Sequence, residues 1–173
     1  LFSIKEIEID NNNLISDREI KLHLKNLYGK NIFFIKIPLF EKSIYKIEMI
    51  EKVTFKKKYP NTIKLKVYEE KPIASLSKKS NKFFIMRSSK LVKDNGELPF
   101  KNLPNVFGEE SEVYFSVFYE KLEQLEFPIQ IIKNFYFFKI GRWDIELKNG
   151  QIIKLPFIEV EESINQSIKL IKR

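Results

Sequence analysis

Lys56–Ala74 reads KKKYPNTIKLKVYEEKPIA. Three lysines run into Tyr59-Pro60, a segment then alternates Ile63, Leu65 and Val67 against Lys64 and Lys66, and an acidic pair leads to Lys71-Pro72. Alternation of apolar and charged side chains predicts a half-buried strand over Thr62–Glu69. Pro60-Asn61 favours a turn and blocks further ladder pairing, so the turn predicts a partner strand over Val53–Lys57. The proline pair at the two ends frames a hairpin that closes one folding unit. A first domain over residues 1–70 and a second over 71–173 are expected.

Upstream, Ile7 and Ile9 alternate with Glu6 and Glu8, which predicts a strand across residues 2–10, turned by the asparagines that follow Asp10. Ser16-Asp17-Arg18-Glu19 has capping-box spacing, with the Ser16 hydroxyl able to accept from the Glu19 amide. The helix it opens carries Ile20, Leu24 and Leu27 on one face and meets Gly29, a residue suited to left-handed termination. NIFFIKI (31–37) is expected to be extended, and Pro38 to open a second helix with Phe40, Ile44 and Ile47 on its apolar face. The order is β-α-α-β-β.

Downstream the pattern changes. Short strands are expected at Ile73–Leu76, Phe83–Met86 and Leu91–Val92, then a helix over about 110–125 carrying Val113, Tyr114, Val117 and Leu122. Strands at Ile131–Ile140, Trp143–Lys148 and Gln151–Leu155 follow, the last two joined by Asn149-Gly150, the strongest hairpin signal in the chain. A terminal helix spaces Val160, Ile164, Ile168 and Ile171 along one face. The fold class is α+β, the second domain β-rich with a mixed or antiparallel sheet and flanking helices.

Composition excludes several function classes. The chain holds 173 residues with a formal net charge of +8, but basic residues outnumber acidic ones by 14 to 10 up to residue 70 and by 17 to 13 thereafter. The excess is spread rather than clustered, and no aromatic platform of RRM or OB type accompanies the lysines, so nucleic-acid binding is not expected. There is no cysteine and a single histidine, His23, on a predicted helix surface. Neither a nucleophile-base pair nor a metal site can be assembled from these residues, and no enzyme activity or cofactor is expected. Gly29-Lys30-Asn31 lacks the spacing of a phosphate loop. No run of about 18 apolar residues is present, so nothing in this segment is expected to span a bilayer.

Four phrases, in order, resemble the extracytoplasmic part of the FtsQ/DivIB family of bacterial cell-division proteins: FSIKEIEIDNNNLISDREI from Phe2, VTFKKKYPNTIKLKVYEEKPIA from Val53, LPNVFG from Leu103 and RWDIELKNGQIIKL from Arg142. The resemblance implies a POTRA domain followed by a β domain, on a protein anchored in the inner membrane by one N-terminal helix lying before Leu1 and concentrated at the division septum. It implies a scaffold that binds other division proteins: the FtsB/FtsL coiled coil, with FtsK- and FtsW/FtsI-type proteins as further candidates. Departures fall in turns: Glu48 stands where the family often has proline, and Pro156 follows Leu155. Members usually continue past the last helix with a further strand or two, which the resemblance implies help bind the coiled coil, and this chain stops at Arg173 without them, through truncation or lineage difference.

Two surfaces are candidates for partner binding. In the first domain they are Val53, Phe55, Lys56, Lys58 and Tyr59, although lysines on exposed strand positions also serve simply to discourage edge pairing. In the second they are Phe135, Phe137, Arg142, Trp143, Ile152 and Leu155, on strands that could accept an added strand from a partner. Trp143 with Ile145 and Leu147 has an alternative role in core packing. Ile164, Ile168 and Ile171 of the last helix are expected to be exposed for want of a covering strand. From a different functional class, a POTRA module of outer-membrane protein insertion or secretion remains the alternative.

Overall fold

The computed structural model describes residues 1–171. The chain forms two compact units, one of Leu1–Lys71 and a second that starts at Pro72.

In the first unit, β1 (Glu6–Asp10) leads through helices α1 (Asp17–His23) and α2 (Ile37–Ile44) to the hairpin of β2 (Ile50–Lys58) and β3 (Thr62–Glu69). The sheet order is β1-β3-β2, with β3 parallel to β1 and antiparallel to β2. The alternating strand is thus the central one. Its Ile63, Leu65 and Val67 are buried, as are Ile20 of α1, Leu24 and Leu27 just after it, and Ile44 of α2. Ser16 Oγ accepts from the Glu19 amide at 3.2 Å, so the cap forms. Glu69 has a role the pattern did not reveal. Its carboxylate accepts the backbone N–H groups of Asn13 (2.9 Å), Leu14 (2.9 Å) and Ile15 (2.8 Å), pinning the β1–α1 loop to the end of β3. Residues 31–34 depart from the extended expectation. Asn31 folds them into a turn, its Oδ1 accepting the Phe33 amide at 3.0 Å and its carbonyl the Phe34 amide at 3.1 Å.

The second unit has β4 (Pro72–Lys78), β5 (Asn81–Met86), β6 (Leu91–Lys93), β7 (Asn105–Phe107), α3 (Ser111–Gln124), β8 (Ile132–Phe138), β9 (Arg142–Leu147), β10 (Ile152–Leu155) and α4 (Val160–Ile171). Its seven-stranded sheet runs β10-β9-β8-β7-β4-β5-β6. The sequence signals had passed over β7. Three residues are too few to show a period, yet β7 pairs in parallel with both β4 and β8 and so joins the two antiparallel halves. At Gly108, immediately after β7, φ is +121° and a Cβ would run into the Phe137 carbonyl, so only glycine lets the backbone pass that close.

Helices α3 and α4 supply the core of this sheet. Phe115 lies edge-on to Phe135 at 5.0 Å between ring centroids, and Phe118 stacks on Trp143 at 4.8 Å. The predicted face of α3 was therefore displaced: Phe115, Phe118 and Leu122 point inward, whereas Val113, Tyr114 and Val117 face solvent. Both sets recur at helical spacing, and the larger aromatic area wins the buried side. The expectation for α4 is also corrected. Ile164 and Ile168 are buried in the same cluster and Ile171 is partly covered, because the helix packs back onto the sheet.

Candidate partner-binding surfaces

The seven-stranded sheet ends at β10, which pairs with β9 on one side (Ile152 opposite Glu146, Leu155 opposite Trp143) and has no strand neighbour on the other among the described residues. Strand edges present unpaired N–H and C=O groups in a row. Beside this edge, between β10 and α4, lies a cleft of about 360 Å³ lined by Leu147, Gln151, Ile152, Ile153, Leu170 and Ile171. Ile152 and Leu170 are 58% and 68% exposed, so the cleft has an apolar, accessible mouth.

Burial sorts the residues expected on this surface. Phe135, Phe137, Trp143 and Leu155 are core residues, each less than 9% exposed, and they offer a partner at the β10 edge little side-chain surface. They face the helices because the strand period puts them on the covered side. The other face of β8 mixes aromatic and polar groups: Tyr136 stacks on Phe107 at 5.2 Å and donates to Glu146 at 2.6 Å, and Asn134 bonds Asn105 (3.1 Å) and Glu146 (2.8 Å). Hydrogen bonds from Tyr136, Asn134 and Lys133 hold the Glu146 carboxyl down to about 2, against an ordinary 4.5. Arg142 lies 4.2 Å over the Phe138 ring, places Nε 3.1 Å from Oδ1 of buried Asp144 and donates from Nη2 to Asp144 Oδ2 at 3.4 Å. Of the six, Ile152 is freely accessible and Arg142 partly so. Ile153 and Leu170, which share the cleft, were missed because their elements read as an ordinary hairpin and a terminal helix.

In the first unit β2 is an edge strand, and its lysines can now be placed. Val53 is buried in the core, the reverse of a contact residue, and Phe55 is half covered because it shares that face. Lys56, Lys58 and Tyr59 are exposed. Two lysines of the exposed sheet face are tied across strands, Lys58 to Glu8 at 2.7 Å and Lys64 to Asp10 at 2.8 Å, while Lys66 lies over the ring of Tyr68 on its own strand at 5.2 Å. The bond to Asp10 raises the Lys64 ammonium above its ordinary value. Lys64 and Lys66 lie on the central strand, so edge protection falls to Lys52, Lys56 and Lys58 of β2 instead. A further apolar groove of about 570 Å³ runs between α3 and the β8–β9 turn, lined by Val113, Val117, Ile140 and Phe157. Val113 and Val117 are exposed along this groove rather than turned to the core.

Among the described residues no helix is long and apolar enough to cross a membrane, and no group of three or more His, Cys, Asp or Glu could hold a metal ion.

Comparison with known proteins gives these surfaces a context. The family model for the FtsQ-type POTRA domain matches residues 2–70. Cell division protein FtsQ of Rickettsia conorii is 27% identical over 165 residues, covering 94% of this chain and 61% of that protein. Cell division protein DivIB of Clostridium acetobutylicum is 27% identical over 107 residues, covering 62% and 43% respectively. A solved structure, the major extracytoplasmic domain of the cell division protein DivIB from Geobacillus stearothermophilus, aligns with a TM-score of 0.43 and 13% identity, over 58% of this chain and 92% of that one. The chain spans about three-fifths of the length of its Rickettsia relative. With a match to the FtsQ-type POTRA domain over residues 2–70 and similarity to FtsQ running on through the second unit, the chain resembles the FtsQ/DivIB bacterial cell-division proteins over nearly all its length.

Proposed function

We propose that this chain is the extracytoplasmic scaffold of a bacterial division complex, recruiting other division proteins at the septum by protein–protein binding and carrying out no chemistry of its own. The observation that carries the reading is the unpaired edge of β10 with an apolar cleft beside it. A partner segment added antiparallel or parallel to β10 gains backbone hydrogen bonds along the edge and apolar contact in the cleft. An FtsB/FtsL-type coiled coil is the occupant that the similarity to FtsQ and DivIB favours, with FtsK- and FtsW/FtsI-type proteins as candidates for the hairpin surface at Lys56, Lys58 and Tyr59. The FtsQ-type match, and the similarity to FtsQ that continues past residue 70, count against the alternative of an outer-membrane insertion or secretion module.

The test is direct binding of the purified chain to the soluble FtsB/FtsL-type coiled coil of the same organism. Ile152→Glu and Leu170→Glu, at exposed positions, should each weaken binding by tenfold or more while leaving Trp143 fluorescence and the thermal midpoint unchanged. Binding that survives both substitutions overturns the β10 assignment. A fluorescent fusion of the full-length protein spread evenly around the envelope, with normal division on depletion, overturns the division reading itself.

A further inference from the structure

Three segments meet at the end of the first unit where β3 begins. The arm before β1 is held to the α1–α2 loop: the Ile4 amide donates to the Lys30 carbonyl at 2.9 Å and the Ile32 amide to the Phe2 carbonyl at 3.0 Å. Lys5 in turn donates its amide to the Asn61 carbonyl of the β2–β3 turn at 2.9 Å. These bonds fix a surface that the hydrophobic effect alone would bury. Phe33 sits between Phe2, edge-on at 5.0 Å, and Tyr59, stacked at 4.9 Å. Phe34 and Leu39, 83% and 60% exposed, flank a cleft of about 360 Å³ with Lys30, Lys36 and Phe40. Contiguous exposed apolar side chains of this kind mark a binding surface rather than scattered exposure.

The charges on the same end are basic. Lys5, Lys30, Lys36 and Lys57 make no ion pair among the described residues, and Lys57 Nζ donates to the Phe33 carbonyl at 3.3 Å. On the adjoining strand Glu6 makes no ion pair among the described residues, and Glu8 and Asp10 are taken by Lys58 and Lys64. We infer that this end of the unit docks on an anionic lipid bilayer, with Phe34, Leu39 and Phe33 entering the headgroup boundary and the lysines meeting lipid phosphates. Aromatic and leucine tips backed by flexible cations are the composition of interfacial membrane contacts. A protein partner fits less well, because lysine is depleted and arginine enriched at protein interfaces, and this patch has four lysines and no arginine. The inference stands on the first unit alone and does not depend on β10 or its partner.

The test is co-sedimentation of the 173-residue chain with vesicles of phosphatidylcholine alone, or of phosphatidylcholine with about 30% phosphatidylglycerol, at low and high salt. Binding to the anionic vesicles and not the neutral ones is expected, weakening as salt rises. The pair Phe34→Ser and Leu39→Ser should lower the affinity at least tenfold. The pair Lys30→Glu and Lys36→Glu should lower it by more than the roughly fivefold expected for each lysine simply removed from an anionic surface. A matched reversal at Lys154 and Lys169, on the second unit, should leave it within twofold. Three results overturn the proposal: no preference for anionic vesicles, equal loss from the matched reversal, which would make the binding one of bulk charge, or vesicle binding that survives Phe34→Ser with Leu39→Ser. Loss of a division-protein contact by the same variants, without vesicle binding, would assign the patch to a protein instead.

Discussion

Replacing Glu69 with alanine should loosen the first unit while leaving the second intact. The carboxylate accepts three backbone N–H groups from Asn13, Leu14 and Ile15, each between 2.8 and 2.9 Å. Asn13 is exposed and regains water at little cost, whereas the Leu14 and Ile15 bonds are partly buried. A charge-assisted hydrogen bond of this kind is worth about 1–1.5 kcal/mol after a discount for partial solvation, so the loss should be about 2–3 kcal/mol. Glu69→Gln keeps one acceptor oxygen and should lose about 1 kcal/mol. The only tryptophan, Trp143, lies in the second unit, so the first is followed by hydrogen exchange of the Ile63, Leu65 and Val67 amides on its central strand. Their exchange should quicken about 30- to 150-fold in Glu69→Ala, the equivalent of that free energy. Protection changed by less than about threefold would refute the claim that this carboxylate clamps the β1–α1 loop.

In the second unit, Phe115→Ala should cost about 3–5 kcal/mol by urea titration of Trp143 fluorescence, while Val117→Ser, three-fifths exposed or more, should stay within about 0.5 kcal/mol. The reverse ranking would restore the helix face expected from the valine spacing. Gly108→Ala should destabilise by at least about 2 kcal/mol in the same titration, because the backbone of Phe137 leaves no room for the methyl group and φ is positive. The Glu146 carboxyl is depressed in the folded state, so its contribution to stability is present above the ordinary value of 4.5 and fades as pH falls toward 2. Near-ultraviolet circular dichroism should show an acid loss of tertiary signal across that window that is flatter in Glu146→Gln. Lys64→Gln, at a surface ion pair with Asp10, should leave the first unit's stability almost unchanged, as most exposed pairs do.

Local pattern determined a large share of this protein. The hairpin around Tyr59-Pro60, the Ser16 cap, the first two helices and the last three strands were legible because each depends on neighbours in sequence: a proline that cannot donate, a hydroxyl three residues from an amide, an apolar period of two. Their order carried the fold class and the family resemblance. What stayed hidden depended on residues far apart. β7 exists only because β4 and β8 offer it edges on both sides. The face of α3 was settled by the aromatic area of Phe135 and Trp143, each distant in sequence from its ring partner, Phe115 or Phe118.

The surfaces divide in the same way. That the late strands are rich in aromatic residues was visible in the chain. That Phe135, Phe137, Trp143 and Leu155 spend those side chains on the core, leaving Ile152 with Ile153 and Leu170 at the edge, follows from where the helices pack. The lysines show the division most plainly. Alternation marked Lys64 and Lys66 as solvent-facing, a local property of a strand with period two. Only the sheet order β1-β3-β2 decided that they stand on the central strand, with Lys64 bonded to Asp10 of β1, because strand pairing is a contact between distant segments that no local pattern encodes.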